Sequence, residues 1–175
     1  MRFARDIGIF ILGLLVALSS VALSRIGGEV LGLVQIPVVT LVITVFFFKE
    51  SRLAALVAGL GLGLDLMSSY PFLVWTAILA ATAVFGWWLS RTVLTNRSLL
   101  SLIMLGAAMR LAYFVFETVV SRAAELFGAT VWYMASTMDP LSALAAFGIE
   151  MAALVVVFII YVRSRGERSG MLTHV

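Results

Sequence analysis

The chain has 175 residues, of which 63% are hydrophobic and 12% charged, with a net charge of +3 and no cysteine. Soluble domains carry about 25% charged residues, so the composition excludes an ordinary soluble domain. The lack of cysteine excludes disulfides and thiolate metal sites, and a lone histidine, His174 in the tail, argues against a zinc-type catalytic centre.

Apolar runs of about 20 residues recur from end to end, which is the pattern of a polytopic all-α membrane protein. A single transmembrane domain over residues 1–175 is expected, built as one bundle of six membrane helices. The first span covers about residues 7–23, behind Arg2 and Arg5. A signal peptide is the competing reading, with a basic start and small residues near Ala22 and Ser24. The spans that follow favour a retained helix.

Span two covers about 30–48 and is interrupted early by Gln35-Ile36-Pro37, where proline removes a helix hydrogen bond and kinks or delays the helix start. Phe46 to Phe48 stand beside Lys49 as interfacial anchors. Span three covers about 53–70. Leu53, Leu56, Val57, Leu60, Leu64 and Met67 form one large, lipid-like stripe. Ala54, Ala58, Gly61 and Asp65 form a second stripe, and Ala55, Gly59 and Gly63 a third. Small residues four apart let helix backbones approach, which drives association in lipid, so span three is read as the centre of the bundle. The Gly-x-Gly-x-Gly run is no nucleotide loop, because no strand precedes it.

Span four covers about 72–89 behind Pro71, a helix-start residue, and ends in Trp87-Trp88 before Arg91. Span five covers about 99–120, with Arg110, Tyr113 and Glu117 on one face. Residues 121–140 make a mildly amphipathic connection that is either an interfacial helix or a loop resting on lipid. Span six covers about 141–162, with Glu150 near its middle, and a short polar tail follows over 163–175.

Six spans put both ends on one side. Arg2, Arg5, Lys49, Arg52, Arg91, Arg97, Arg163, Arg165 and Arg168 fall on that side, and only Arg25 and Arg122 fall on the other. The positive-inside rule makes that side cytoplasmic. The basic balance therefore marks a membrane face and anionic headgroups, and it needs no nucleic acid.

Arg110 and Glu150 come to matched depth near the midplane, so they are expected to pair directly or through Tyr113. Ionisable groups at that depth are costly and favour function, yet an acid and a base can also simply fix helix register. Asp65 and Glu117 are expected nearer the outer ends, as an upper tier open to water or to Arg122. For Asp65, helix-end capping aided by Ser68 and Ser69 competes with a functional role. No catalytic motif appears, no serine has a histidine partner, and no cofactor or metal is expected.

The segment Gly59, Gly63, Asp65, Ser68, Pro71 and Phe72 resembles the rod shape-determining MreD family of bacteria. That pattern is a glycine-spaced helix, an aspartate, a small turn and a Pro-Phe/Leu-Gly start to the next helix. The end of the next span, Trp88 to Arg91, is similar too. The chain departs from the pattern at Leu73, where glycine is usual, and at Ser69-Tyr70 in the turn. The motif covers about 15 residues, and the span layout extends the likeness loosely over the chain.

The resemblance implies a non-enzymatic scaffold in the cytoplasmic membrane, serving lateral peptidoglycan synthesis. Its partners would be an MreC-like protein, RodA/PBP2-like wall synthases and an MreB-linked complex. It also implies a fold like the substrate-binding S-component of energy-coupling-factor transporters. That supplies the alternative of a substrate-capture subunit whose pocket would be lined by Asp65 and Glu117, with Trp75 or Tyr113 stacking on the ligand. A third expectation is a proton-coupled carrier using Glu117 or Glu150. For a docking face, Gly59, Gly63 and Asp65 are the candidates.

Overall fold

The computed structural model describes residues 2–26, 33–48, 52–68, 73–94, 98–126 and 140–170. Among them there are six helices: α1 (Arg2–Ile26), α2 (Ile36–Phe47), α3 (Leu53–Met67), α4 (Val74–Thr92), α5 (Leu99–Leu126) and α6 (Pro140–Gly170). Three apolar stretches, Ala4–Ile26, Leu99–Val120 and Pro140–Ser164, are long enough to cross a membrane. α2 and α3 are equally apolar but have only 12 and 15 residues. At 1.5 Å per residue they fall short of a hydrocarbon core of about 30 Å.

The short helices have a physical cause. α2 starts at Ile36 rather than near residue 30, because Pro37 occupies its first turn. A proline there lacks only an N–H that has no partner within the helix. Leu33 is helical, Val34 and Gln35 are not, and the chain re-enters helix at Ile36. α3 stops at Met67 and turns at Ser68. Such breaks persist at membrane depth only where the freed backbone groups find partners inside the protein. Within α2, the Thr40 and Thr44 hydroxyls donate back to the carbonyls of Ile36 and Thr40, so neither needs a partner outside the helix.

Close contacts fix the relative directions of the helices. α1 and α3 run parallel: a Cβ on Gly13 would lie 2.8 Å from the Leu56 carbonyl oxygen, and one on Gly63 would lie 2.6 Å from the Ala17 Cβ. A Cβ on Gly59 would strike the carbonyl of Phe10. α4 returns antiparallel to α3, with Thr76 against Gly61. α5 runs antiparallel to α4, with Met109 against Gly86 and Tyr113 beside Trp75. α6 returns along α5, with Leu154 against Gly106. α2 is parallel to α6, since Phe47 meets Tyr161 at one level and Gln35 meets Glu150 at another. The six helices thus alternate in direction. Arg5, Arg52, Arg91 and Arg163 come to one end of the bundle, and Arg25 and Arg122 to the other.

Two expectations are corrected here. The central helix is α2, not α3: α2 touches all five of the others. Its Val38, Leu41 and Val42 are almost fully buried. The large stripe of α3 is not lipid-facing either, because Leu56, Val57 and Leu60 belong to the core. The small faces of α3 admit α1 on one side and α4 on the other, and its large residues fill the space between. α5 continues as helix to Leu126 and α6 to Gly170. Expectations for the connection beyond Leu126, and for Ser69, Tyr70, Pro71 and Phe72, fall outside the described residues.

Candidate functional site

Two carboxylates that sequence reasoning singled out sit at helix starts. The first is Asp65, buried on the last turn of α3. Its Oδ1 accepts the Trp75 backbone N–H at 2.8 Å. Its Oδ2 accepts the Thr76 backbone N–H at 3.2 Å and the Thr76 hydroxyl at 2.6 Å. Trp75 and Thr76 are the second and third residues of α4, whose N–H groups have no partner within the helix. Leu73 stands at the N-cap position but makes no side-chain cap. Asp65 therefore caps α4 from the neighbouring helix, with its charge against the positive end of the helix dipole. Gly61, one turn earlier, makes this possible: a Cβ there would lie 2.5 Å from the Thr76 Cα.

This corrects the expectation that Asp65 is open to water or to Arg122. It also limits Ser68, whose hydroxyl donates to the Asp65 backbone carbonyl at 3.2 Å and not to the carboxylate. Leu73 has φ 74° and ψ 8°, the one non-glycine residue in the left-handed region among the described residues. Its sequence position is the one where the resembled pattern has glycine.

The second carboxylate is Glu150 of α6, which is 1% exposed. Its Oε1 accepts the Gln35 backbone N–H at 2.7 Å, and its Oε2 lies 3.3 Å from Arg110 Nε. Arg110 Nη2 donates to the Leu33 carbonyl at 3.1 Å. Arg110 and Glu150 thus meet each other directly, and each also holds one side of the break before α2. The cation takes a carbonyl at the end of a helical segment, and the anion takes an amide at the start of the next. Both choices match the polarity of helix ends. Sequence reasoning found the two charges but missed Leu33 and Gln35 as their backbone partners. The signal was Pro37, which marks a helix start and so an unpaired amide just before it.

The pairing of Arg110 with Glu150 is direct. Tyr113 is buried on α5 with its ring stacked on Trp75, at a centroid distance of 6.4 Å and an interplanar angle of 15°. Glu117 is part-buried one turn further along α5, within range of the Arg110 charge but with no hydrogen bond to a described residue. Asp65 is buried against the start of α4 and so does not share a water-open tier with Glu117.

Gly59 and Gly63 are occupied internally by α1, which removes them as a docking face and leaves them as helix-packing residues. A cleft of about 340 Å³ lies elsewhere, between the last turns of α1 and Met67, and neither Asp65 nor Glu117 lines it. Among the described residues no three metal-ligating side chains converge. Comparison with protein-family models, with curated proteins and with solved structures found no match.

Proposed function

We propose that the chain is a non-enzymatic scaffold of six membrane helices in the cytoplasmic membrane, with both termini cytoplasmic, serving bacterial lateral wall synthesis. The observation that carries this reading is the hairpin of α3 and α4. There the glycines and the aspartate of the MreD-like pattern have structural tasks, and so does the position where the chain departs from it. Gly59 and Gly63 seat α1, Asp65 caps α4, and Leu73 takes a left-handed conformation where the pattern has glycine. A short motif whose members act together in one turn is stronger support than the same letters scattered over a chain.

Three further features support it. The alternating helix directions fit a six-pass layout with the arginine-rich end inside, as the positive-inside rule requires. Trp75 and Tyr113, which a capture subunit would hold apart for a ligand, are stacked on each other. Asp65, Arg110 and Glu150 are also engaged with backbone groups, as befits a rigid frame.

Co-purification from native membranes in mild detergent tests the reading. The tagged full chain is expected to bring down an MreC-like protein or a wall synthase. Recovery of an ATPase-linked transport subunit, or of a bound small metabolite, would replace the scaffold with the capture subunit. Gly63→Leu is unsuitable as a probe of docking, because it would separate α3 from α1. Gly148→Leu on the open face of α6, where a Cβ meets nothing, probes a docking face without touching the core.

A further inference from the structure

We infer that the Arg25 end of α1 holds one anionic phospholipid, with its phosphate on the Arg25 guanidinium and an acyl chain in the cleft below. The cleft of about 340 Å³ is lined by Leu18, Val21, Ala22, Arg25 and Ile26 of α1 and by Met67 of α3. Leu18, Val21, Ala22 and Arg25 recur at helical spacing, so they form one strip of α1. Every lining residue but one is apolar, and the exception stands at the rim.

The depth fits a lipid rather than a free anion. Arg25 is the last residue but one of the membrane-crossing stretch Ala4–Ile26, which is headgroup level. From there to Leu18 the strip descends seven residues, roughly 10 Å at the helical rise, into acyl-chain depth. Arg25 is exposed and has no hydrogen bond or ion pair with a described residue. Arg5, Arg52, Arg91 and Arg163 gather at the opposite end of the bundle, while Arg122 of α5 shares the Arg25 end but does not line the cleft. A guanidinium with no partner among the described residues, above an apolar groove, is complementary to a phosphodiester carrying a hydrocarbon chain. The site is independent of the scaffold reading and stands whether or not a wall-synthesis partner is found.

Native mass spectrometry of the full chain, titrated in mild detergent, tests the inference. Phosphatidylglycerol is the probe, with phosphatidylcholine and inorganic phosphate as separate arms. The expected result is one retained phosphatidylglycerol per chain, with weaker retention of phosphatidylcholine and none of inorganic phosphate. Arg25→Gln should weaken retention by roughly tenfold or more, the loss of one charge-assisted contact. Ala22→Phe, which fills the groove and leaves Arg25 in place, should weaken it as well. Arg5→Gln at the opposite end should not. All three positions are exposed on α1, so a melting curve matching the wild type is expected for each. Equal retention of both lipids, or retention unchanged in Arg25→Gln, overturns the phosphate contact. Retention unchanged in Ala22→Phe overturns the groove. Binding of inorganic phosphate at comparable strength overturns the lipid as the ligand.

Discussion

Arg110 and Glu150 can be read as a pair of charges or as a clasp across a broken helix, and substitution separates the two. At 3.3 Å between Nε and Oε2, two unit charges attract by about 5 kcal/mol at an effective dielectric of about 20. Desolvation offsets much of that, so the pair's net contribution is small compared with the cost of breaking it. Arg110→Ala leaves a carboxylate that is 1% exposed without its cation, and the expected loss is about 3–5 kcal/mol. Arg110→Lys is the more discriminating change. A lysine keeps the charge, but its single nitrogen cannot serve Glu150 and the Leu33 carbonyl with the reach of a guanidinium fork. One orphaned buried carbonyl costs about 1–3 kcal/mol, so the lysine variant should lose that much. Exchanging the charges, Arg110→Glu with Glu150→Arg, should not rescue the fold. It would aim a cation at the Gln35 amide and an anion at the Leu33 carbonyl. The assay is unfolding in mixed micelles by added SDS, followed by tryptophan fluorescence. A loss below about 1 kcal/mol for Arg110→Ala would refute the clasp. So would a lysine variant as stable as the wild type, or an exchanged pair that recovers full stability.

Four further outcomes follow from the same geometry. Asp65→Ala removes three donors' acceptor at once and should cost about 2–4 kcal/mol in the same SDS titration, because contacts to a charged group are each worth about 1.5–3 kcal/mol before repacking. Asp65→Asn, which keeps one good acceptor, should lie between that and the wild type, and equal stability of all three would remove the cap. Gly59→Ala drives a Cβ into the Phe10 carbonyl and should cost about 1–3 kcal/mol, whereas Gly148→Ala meets nothing and should gain up to about 1 kcal/mol from helix propensity. Leu73→Gly relieves a left-handed residue, worth about 1–2 kcal/mol, against about 0.5–1 kcal/mol of glycine entropy; a melt should show no loss, and Leu73→Ile should be less stable than either. Because the chain has no cysteine, single cysteines can report sidedness: Arg5→Cys and Ser164→Cys should label from the cytoplasmic face, and labelling of the two from opposite faces would reject an even number of crossings.

Much of the architecture was legible because lipid leaves few choices. Apolar runs had to be helices, and the glycines at spacing four had to meet another backbone. The sequence does not say which backbone. Gly59 and Gly63 could seat a partner's helix or their own neighbour, and only the parallel path of α1 decides for the neighbour. The hydrophobic stripe of α3 misled for a related reason. In a soluble helix a large apolar face points to the core, while in a membrane both lipid and core accept it, so Leu56 and Leu60 carried no directional signal. Helix lengths were overestimated where polar side chains replaced missing backbone bonds. Apolar residues on both sides of Gln35 read as one span, although Pro37 had already fixed where α2 could begin.

The carboxylates bring these points together. An acid inside a membrane helix invites a reading in terms of protons, ions or substrates. Asp65 and Glu150 instead receive backbone N–H groups at the starts of α4 and α2, in each case from a different helix. A cap from the residue's own N-cap position costs no tertiary specificity, since any helix can carry one. A cap from a neighbour forms only when both helices are in register, so each acid makes the start of one helix conditional on the placement of another. Glu150 ties α2 to α6, Arg110 ties the same break to α5, and Asp65 ties α4 to α3. Because α2 touches every other helix, fixing its start fixes the level of the whole bundle. A frame specified in this way keeps one shape, and that is the property the proposed scaffold would require of its interior charges.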